Sequence, residues 1–297
     1  MTNFHPPILL RSPHLQSILP ELLAIGKKTT LETSIHEAQK GKPFVLAERT
    51  AQTDNNAPVF VLIPGIEGSH QSSVIRLLLT SKCLADSPMF VLSHRGINLK
   101  GEQITPYHGG LTNDLAYVAT LLRERFPNRL IHAVGFSMGA NILLNYATGS
   151  HPLNRITAIS TPFDLKACAD RIPAFYQRII LQRMRKRTEN CNAIYKRLNW
   201  DNIKRIRDID EQLVAPHFGY QSANHYYVEN SSKDHLDTIT CPTTLISAYD
   251  DPFISPSSWP KKRTLPKNIR MITPRHGGHM GFINGRCWIE GVLGELR

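Results

Sequence analysis

The segment GFSMGA at residues 135–140 places Ser137 between two glycines, with the apolar run LIHAV before it and NILLNYA after it. A strand that turns at once into a helix forces its apex residue to a strained, positive φ and leaves no room for Cβ atoms two residues to either side. Glycine at positions 135 and 139 removes both collisions. We therefore expect Ser137 to present a nucleophilic hydroxyl above a sheet, with the amide of Met138 free to bind a developing negative charge.

A serine nucleophile needs a base, and that base needs a carboxylate to orient it. At a strand–turn–helix site of this kind the partners follow in the order Ser, Asp, His. Asp250 and Asp251 end the predicted strand TTLISAY, at the edge where open α/β sheets place their sites. We favour Asp251, because the turn at Pro252 directs its side chain back along the top of the sheet. Asp250 is the alternative, with a turn carboxylate that contacts backbone as its other interpretation.

The candidate base lies in the loop RHGGHMGF, which follows the predicted strand IRMIT. Gly278 and Gly281 flank His279 and suit a loop that brings its imidazole close to Ser137. His276 stands three residues earlier, but no third or fourth metal ligand accompanies the two histidines. We therefore predict His279 as the base, His276 as a surface or neighbouring residue, and neither a metal nor another cofactor.

A second oxyanion donor is expected from the loop after an earlier strand. The segment PGIEGS at 64–69 is a suitable loop, and the amide of Ile66 is the candidate donor. An ordinary glycine turn is the alternative interpretation.

The elements that must position these residues alternate between short apolar runs and amphipathic runs, which is typical of a largely parallel sheet with crossover helices. The predicted strands are 58–65, 89–96, 129–137, 156–161, 243–251 and 269–273. The predicted helices are 71–84, 111–126, 138–149 and a closing helix around 286–297. We expect an α/β fold with a mostly parallel twisted sheet and helices on both faces.

From about residue 165 to 236 the alternation stops, and the chain becomes helical, basic and aromatic, with FYQRIILQRMRKR and NAIYKRLNW as predicted helices. We interpret this stretch as a helical cap inserted into a single domain that spans 1–297.

The formal net charge of +11 is concentrated in that insertion, since residues 166–207 hold twelve Lys and Arg against three acidic residues, a local net charge of +9. The helix around Ile179 and Met184 is amphipathic. It either contacts an anionic membrane peripherally or packs its apolar face over a pocket with the charged face in water. No nucleic-acid motif accompanies the basic residues, and nothing indicates an oligomeric state.

No apolar run reaches the roughly 18 to 20 residues that span a bilayer, and the first residues lack a secretory signal pattern. The five cysteines are scattered, with no CxxC pair. We expect a cytoplasmic protein with reduced cysteines.

The blocks PPILLRSPHLQSILP, PGIEGS, HRGIN, YHGGLTND, VGFSMGANILLNY, STPFDL, DDPF and HGGHMGF occur in this order along almost the whole chain. In this respect the sequence resembles the YheT-like α/β hydrolases, bacterial relatives of the animal abhydrolase-domain proteins 1, 2 and 3. The resemblance implies the α/β-hydrolase fold, a catalytic triad of Ser137, Asp251 and His279, and hydrolysis of carboxylic or lipid esters.

The sequence departs from that family at Pro64, where the family usually has His, and at Met138-Gly139-Ala140, where Leu-Gly-Gly is common. Tyr107-His108 either lines the site or serves packing. Two alternatives to hydrolysis of a small-molecule ester stay open: acyl transfer through the same triad, and a non-catalytic membrane-associated binding module.

Overall fold

One mixed β-sheet forms the centre of the structure, a computed structural model that describes residues 4–50, 56–189, 191, 193–261 and 264–296. The strands are β1 (Glu32–Glu37), β2 (Pro43–Arg49), β3 (Val59–Ile63), β4 (Met89–Leu92), β5 (Ile131–Phe136), β6 (Arg155–Ile159), β7 (Thr243–Ile246) and β8 (Ile269–Ile272). Their order in the sheet is β1-β2-β4-β3-β5-β6-β7-β8. Strand β2 pairs antiparallel with β1 and β4, and the remaining pairs are parallel.

Helices surround this sheet and also form a separate layer between β6 and β7. The helices outside that layer are α1 (Pro13–Leu23), α2 (Ser73–Leu79), α3 (Asn113–Arg125), α4 (Met138–Tyr146) and α11 (Trp288–Glu295). Those within it are α5 (Leu165–Arg171), α6 (Ala174–Thr188), α7 (Ala193–Lys196), α8 (Ile206–Ile209), α9 (Ala215–Phe218) and α10 (Ala223–Asn230), with a π-helical turn at Asp210–Val214. We call residues 165–230, the part of the predicted 165–236 insertion that ends with α10, the cap. Among the described residues, no helix is both long and apolar enough to span a bilayer.

The central strands are apolar at successive residues because both faces of the sheet are covered. In β3, Val61 and Ile63 belong to one core, which includes side chains of α3 and α4. Phe60 and Leu62 point the other way, into a second core that α2 and α11 complete. The predicted fold class, a mostly parallel sheet with helices on both faces, is therefore confirmed.

The predicted strands are present, but most end earlier than expected. The predicted strand 243–251 stops at Ile246, because the chain leaves the sheet there to form the turn that carries the two aspartates. Strands β1 and β2 were not predicted. β1 lies at the sheet edge with nearly every residue exposed, so it lacks the apolar alternation that marks a half-buried strand. The predicted helix NAIYKRLNW is wrong beyond its first turn, since α7 ends at Lys196.

Candidate active site

Ser137 occupies the turn between β5 and α4, with a positive φ of 49°. A Cβ added to Gly135 would lie 2.5 Å from the Cα of Ala140. A Cβ added to Gly139 would lie 2.3 Å from the carbonyl oxygen of Pro64. Both distances are far inside van der Waals contact, so the predicted need for glycine at these two positions is confirmed.

His279 and Asp251 lie beside this serine in a continuous hydrogen-bonded chain. His279 Nε2 is 2.9 Å from Ser137 Oγ, and His279 Nδ1 is 2.9 Å from Asp251 Oδ2. Asp251 Oδ1 also accepts the backbone N–H groups of Phe253 at 2.8 Å and Ile254 at 3.1 Å. Because the carboxylate only accepts, Nδ1 carries the imidazole proton and Nε2 is left to accept from the serine hydroxyl. The side chains of Ser137, His279 and Asp251 are all buried, and Asp251 has no exposed surface.

The neighbouring Asp250 pairs with His276, whereas Asp251 pairs with His279. Asp250 accepts the N–H of Gly278 at 2.9 Å, and its other oxygen lies 3.3 Å from Nδ1 of His276. Partial burial raises the pKa of Asp250 above its ordinary value. The structure thus brings Asp251, and not Asp250, to His279. No cluster of three or more metal-ligand side chains occurs within the described ranges.

The loop that carries His279 rests on helix α1. The N–H of His279 donates to Ser17 Oγ at 2.9 Å. Gln16 binds the same loop twice, since its Nε2 donates to the carbonyl of Ile283 and its Oε1 accepts the N–H of Ile283, both at 2.8 Å. Gln16 is fully buried. Sequence reasoning missed both residues, although the SP pair at the start of SPHLQS is a helix N-terminus signal that was available.

The loop after β3, residues 64–68, lies against Ser137. A Cβ added to Gly65 would come within 3.2 Å of the Ser137 Cβ. Neither the amide of Ile66 nor that of Met138 donates a hydrogen bond to another group among the described residues. The two predicted oxyanion donors therefore border the same serine with their N–H groups uncommitted.

Two buried side chains, His94 and Tyr107, hold this loop. His94 contacts the carbonyl oxygen of Pro64 at 2.8 Å through Nε2, and burial lowers the pKa of His94, so a neutral imidazole donates this bond. Tyr107 accepts the N–H of Glu67 at 2.9 Å and donates to its carboxylate at 2.9 Å. Both residues of the pair Tyr107-His108 line the cavity described next, and burial lowers the pKa of His108 to about 4.

A cavity of about 460 Å³ opens on Ser137 beneath the cap. Cap side chains in its wall include Ile172, Ile180, Met184, Leu213 and Val214. The wall also contains Asp210, a buried carboxylate of the π-helical turn whose Oδ2 accepts from the hydroxyl of Tyr227 at 2.6 Å. This volume is typical of a small-molecule site, and the apolar wall suits an apolar ligand segment.

Known proteins are similar to this chain in sequence and in fold. A family model described as the alpha/beta hydrolase fold matches residues 58–190. YheT of Escherichia coli (strain K12) is 30% identical over 298 aligned residues, which cover 93% of this chain and 87% of YheT. A monoacylglycerol lipase of Saccharomyces cerevisiae is 30% identical over 264 residues, covering 80% of this chain but only 58% of the lipase.

A solved structure agrees at the level of the fold. The Pyrococcus furiosus esterase Pf2001 matches with a TM-score of 0.58 at 14% identity, covering 90% of this chain and 91% of the esterase. The fold match and the near full-length similarity to YheT point to the same conclusion: the chain belongs to the YheT-like family of α/β hydrolases.

Proposed function

We propose that this chain hydrolyses carboxylic esters through an acyl-enzyme on Ser137. The observation that carries the proposal is the unbroken chain of hydrogen bonds from Ser137 Oγ through His279 to Asp251, with 2.9 Å at each step. Ser137, the first residue of this hydrogen-bonded chain, lines an apolar cavity. Similarity to a monoacylglycerol lipase supports an ester as the substrate class.

In the first half of the proposed reaction, Ser137 Oγ attacks the acyl carbonyl carbon as its proton passes to His279 Nε2. The carboxylate of Asp251 stabilises the resulting imidazolium through Nδ1–H. The negative charge that forms on the carbonyl oxygen is stabilised by the N–H groups of Met138 and Ile66. The ester C–O bond then breaks, and the Nε2 proton transfers to the departing alcohol.

In the second half, water takes the place of the alcohol. His279 accepts a proton from the water as its oxygen attacks the acyl-serine, and the same amides hold the oxyanion. Collapse releases the carboxylic acid and returns the proton to Ser137. The apolar wall favours binding the acyl chain in the cavity, because each CH₂ group removed from water contributes about 0.8 kcal/mol.

The direct test is Ser137→Ala, assayed on short and medium acyl p-nitrophenyl esters. We expect kcat/KM to fall by roughly 10⁴- to 10⁶-fold, because the nucleophile is lost while the binding cavity remains. A fluorophosphonate probe should label wild type and not this variant. Ser257→Ala, an exposed serine outside the site, is the matched control. Equal hydrolysis by wild type and Ser137→Ala, or a wild type that neither turns over nor labels, contradicts the proposal.

We also propose that the cap contacts anionic membrane surfaces peripherally. In α6, Ile180 and Met184 line the cavity, whereas the cations Arg178, Arg185 and Lys186 are exposed. This arrangement puts Ile180 and Met184 over the cavity, beside Arg183 and Arg187, and a cationic face outside it. A cationic helix face attracts anionic lipid headgroups, which would bring the cavity close to apolar esters held in a bilayer.

A further inference from the structure

We call residues 64–68, which include the proposed donor Ile66, the oxyanion loop. A buried ion pair links the cap to this loop. Arg187, in the last turn of α6, donates from Nε to Glu67 Oε2 at 2.8 Å and from Nη2 to Glu67 Oε1 at 2.7 Å. The two side chains are only 14% and 5% exposed. A two-pronged guanidinium–carboxylate contact of this kind fixes orientation as well as distance.

Glu67 directly follows Ile66, the proposed oxyanion donor, and has a positive φ of 55°. A non-glycine residue in this region of backbone space is held there by its surroundings. Here the surroundings are Tyr107, which binds both the N–H and the carboxylate of Glu67, and Arg187, which occupies both carboxylate oxygens. The orientation of the loop at Ile66 thus depends on a residue from the cap.

This contact is separate from the two junctions where the chain enters and leaves the cap. At the entry, Asp164 caps α5 and pairs with Lys233 at 2.7 Å. At the exit, the carbonyl of Asn230 accepts from the side chains of Asn141 and Asn145, both on α4, at 2.8 Å. Breaking the Arg187–Glu67 pair would therefore leave both junctions intact. The guanidinium also lies 5.9 Å from the ring centroids of Tyr107 and Tyr195.

We propose that Arg187 is a positioning residue, which through Glu67 aligns the Ile66 amide with Ser137. This inference rests on the proposed function and adds to it: the geometry of the oxyanion hole depends on a side chain of the cap. A misplacement of about 1 Å in such a site costs on the order of 10²-fold in rate, so a loosened loop lowers turnover without removing any triad residue.

The test is Arg187→Gln, with Arg185→Gln as the matched control on the exposed side of the same helix. Each is assayed on p-nitrophenyl acetate and p-nitrophenyl octanoate and titrated with butylboronic acid, which forms a tetrahedral adduct with the serine. Rates are expressed per mole of fluorophosphonate-reactive Ser137. We expect Arg187→Gln to lose about 10- to 10²-fold in kcat on both esters. KM should change little, and boronate affinity should fall by the same factor.

A role limited to stability or to binding the acyl chain predicts a different result. Either the boronate affinity and the acetate rate per labelled serine stay within about threefold of wild type, or the loss is confined to KM for octanoate; each outcome overturns the inference. Glu67→Gln, which keeps the size of the side chain, provides a second route if Arg187→Gln folds poorly. The double variant should be no slower than the slower single variant, because the pair acts as one unit.

Ser137→Ala distinguishes a failure of the proposed function from a failure of the proposed role of Arg187. Turnover that does not depend on Ser137 overturns the proposed function and this inference together. Turnover that depends on Ser137 but is unaffected by Arg187→Gln overturns only the proposed role of Arg187.

Discussion

The loops that carry Ser137, Asp251 and His279 and the cap above them are built in different ways. In the core, each of these three residues follows a strand, and the turn at Asp251 is closed by the backbone amides of the residues after it. In the cap, several helices are a single turn long, and side-chain pairs such as Asp210–Tyr227 supply the polar contacts. Local chain geometry at strand ends therefore determines which turns carry the three core side chains, whereas side-chain contacts between helices hold the cap together.

The largest expected difference lies within the core, between its two adjacent carboxylates, Asp251 and Asp250. Asp251→Asn should lower kcat by about 10⁴-fold, because an amide disfavours the imidazole tautomer that leaves Nε2 free. Asp250→Asn keeps an oxygen that can accept from Gly278, so we expect a loss of at most about tenfold. Steady-state rates on one soluble ester compare the two variants directly. Similar losses from both, or a larger loss from Asp250→Asn, would show that strand-end geometry does not assign the acid.

The cap should respond to pH through Asp210, whose pKa burial raises from 3.8 to about 7. The folded state then keeps a proton that the unfolded state releases, so this residue favours folding at low pH. That advantage is lost as pH rises from about 4 to 7, by at most ~4 kcal/mol. Asp210→Asn cannot ionise, so its stability relative to wild type should increase over this range.

Urea unfolding of both proteins between pH 4.5 and 8 measures this difference. Asp201→Asn, at an exposed carboxylate of the cap, is the control. A stability difference between Asp210→Asn and wild type that stays constant with pH would show that the Asp210 carboxylate is ionised in the folded cap.

The sequence predicts those features of the site that depend on local patterns. The glycine spacing around Ser137, the strand-end aspartates and the glycine loop of His279 are local patterns, so the side chains that now meet could be named in advance. The contacts that support these side chains could not be predicted from such patterns. Ser17 and His279 are separated by 262 residues, and Glu67 and Arg187 by 120, with no motif linking either pair. Strand β1 was missed for a related reason, since an exposed edge strand carries no apolar period.

The smallest effect we expect concerns the outer face of the cap. Replacing Arg178, Arg185 and Lys186 with Gln should weaken binding to anionic vesicles by up to about 10²-fold at low salt, since each surface cation contributes about 1 kcal/mol. Hydrolysis of a soluble ester should not change. Co-sedimentation with phosphatidylserine-containing and neutral vesicles measures this, against a control that replaces the exposed core cations Lys82, Lys100 and Lys267. Equal losses from the two triple variants would assign membrane attraction to overall net charge, and the cap would then be a cover for the cavity without a docking role.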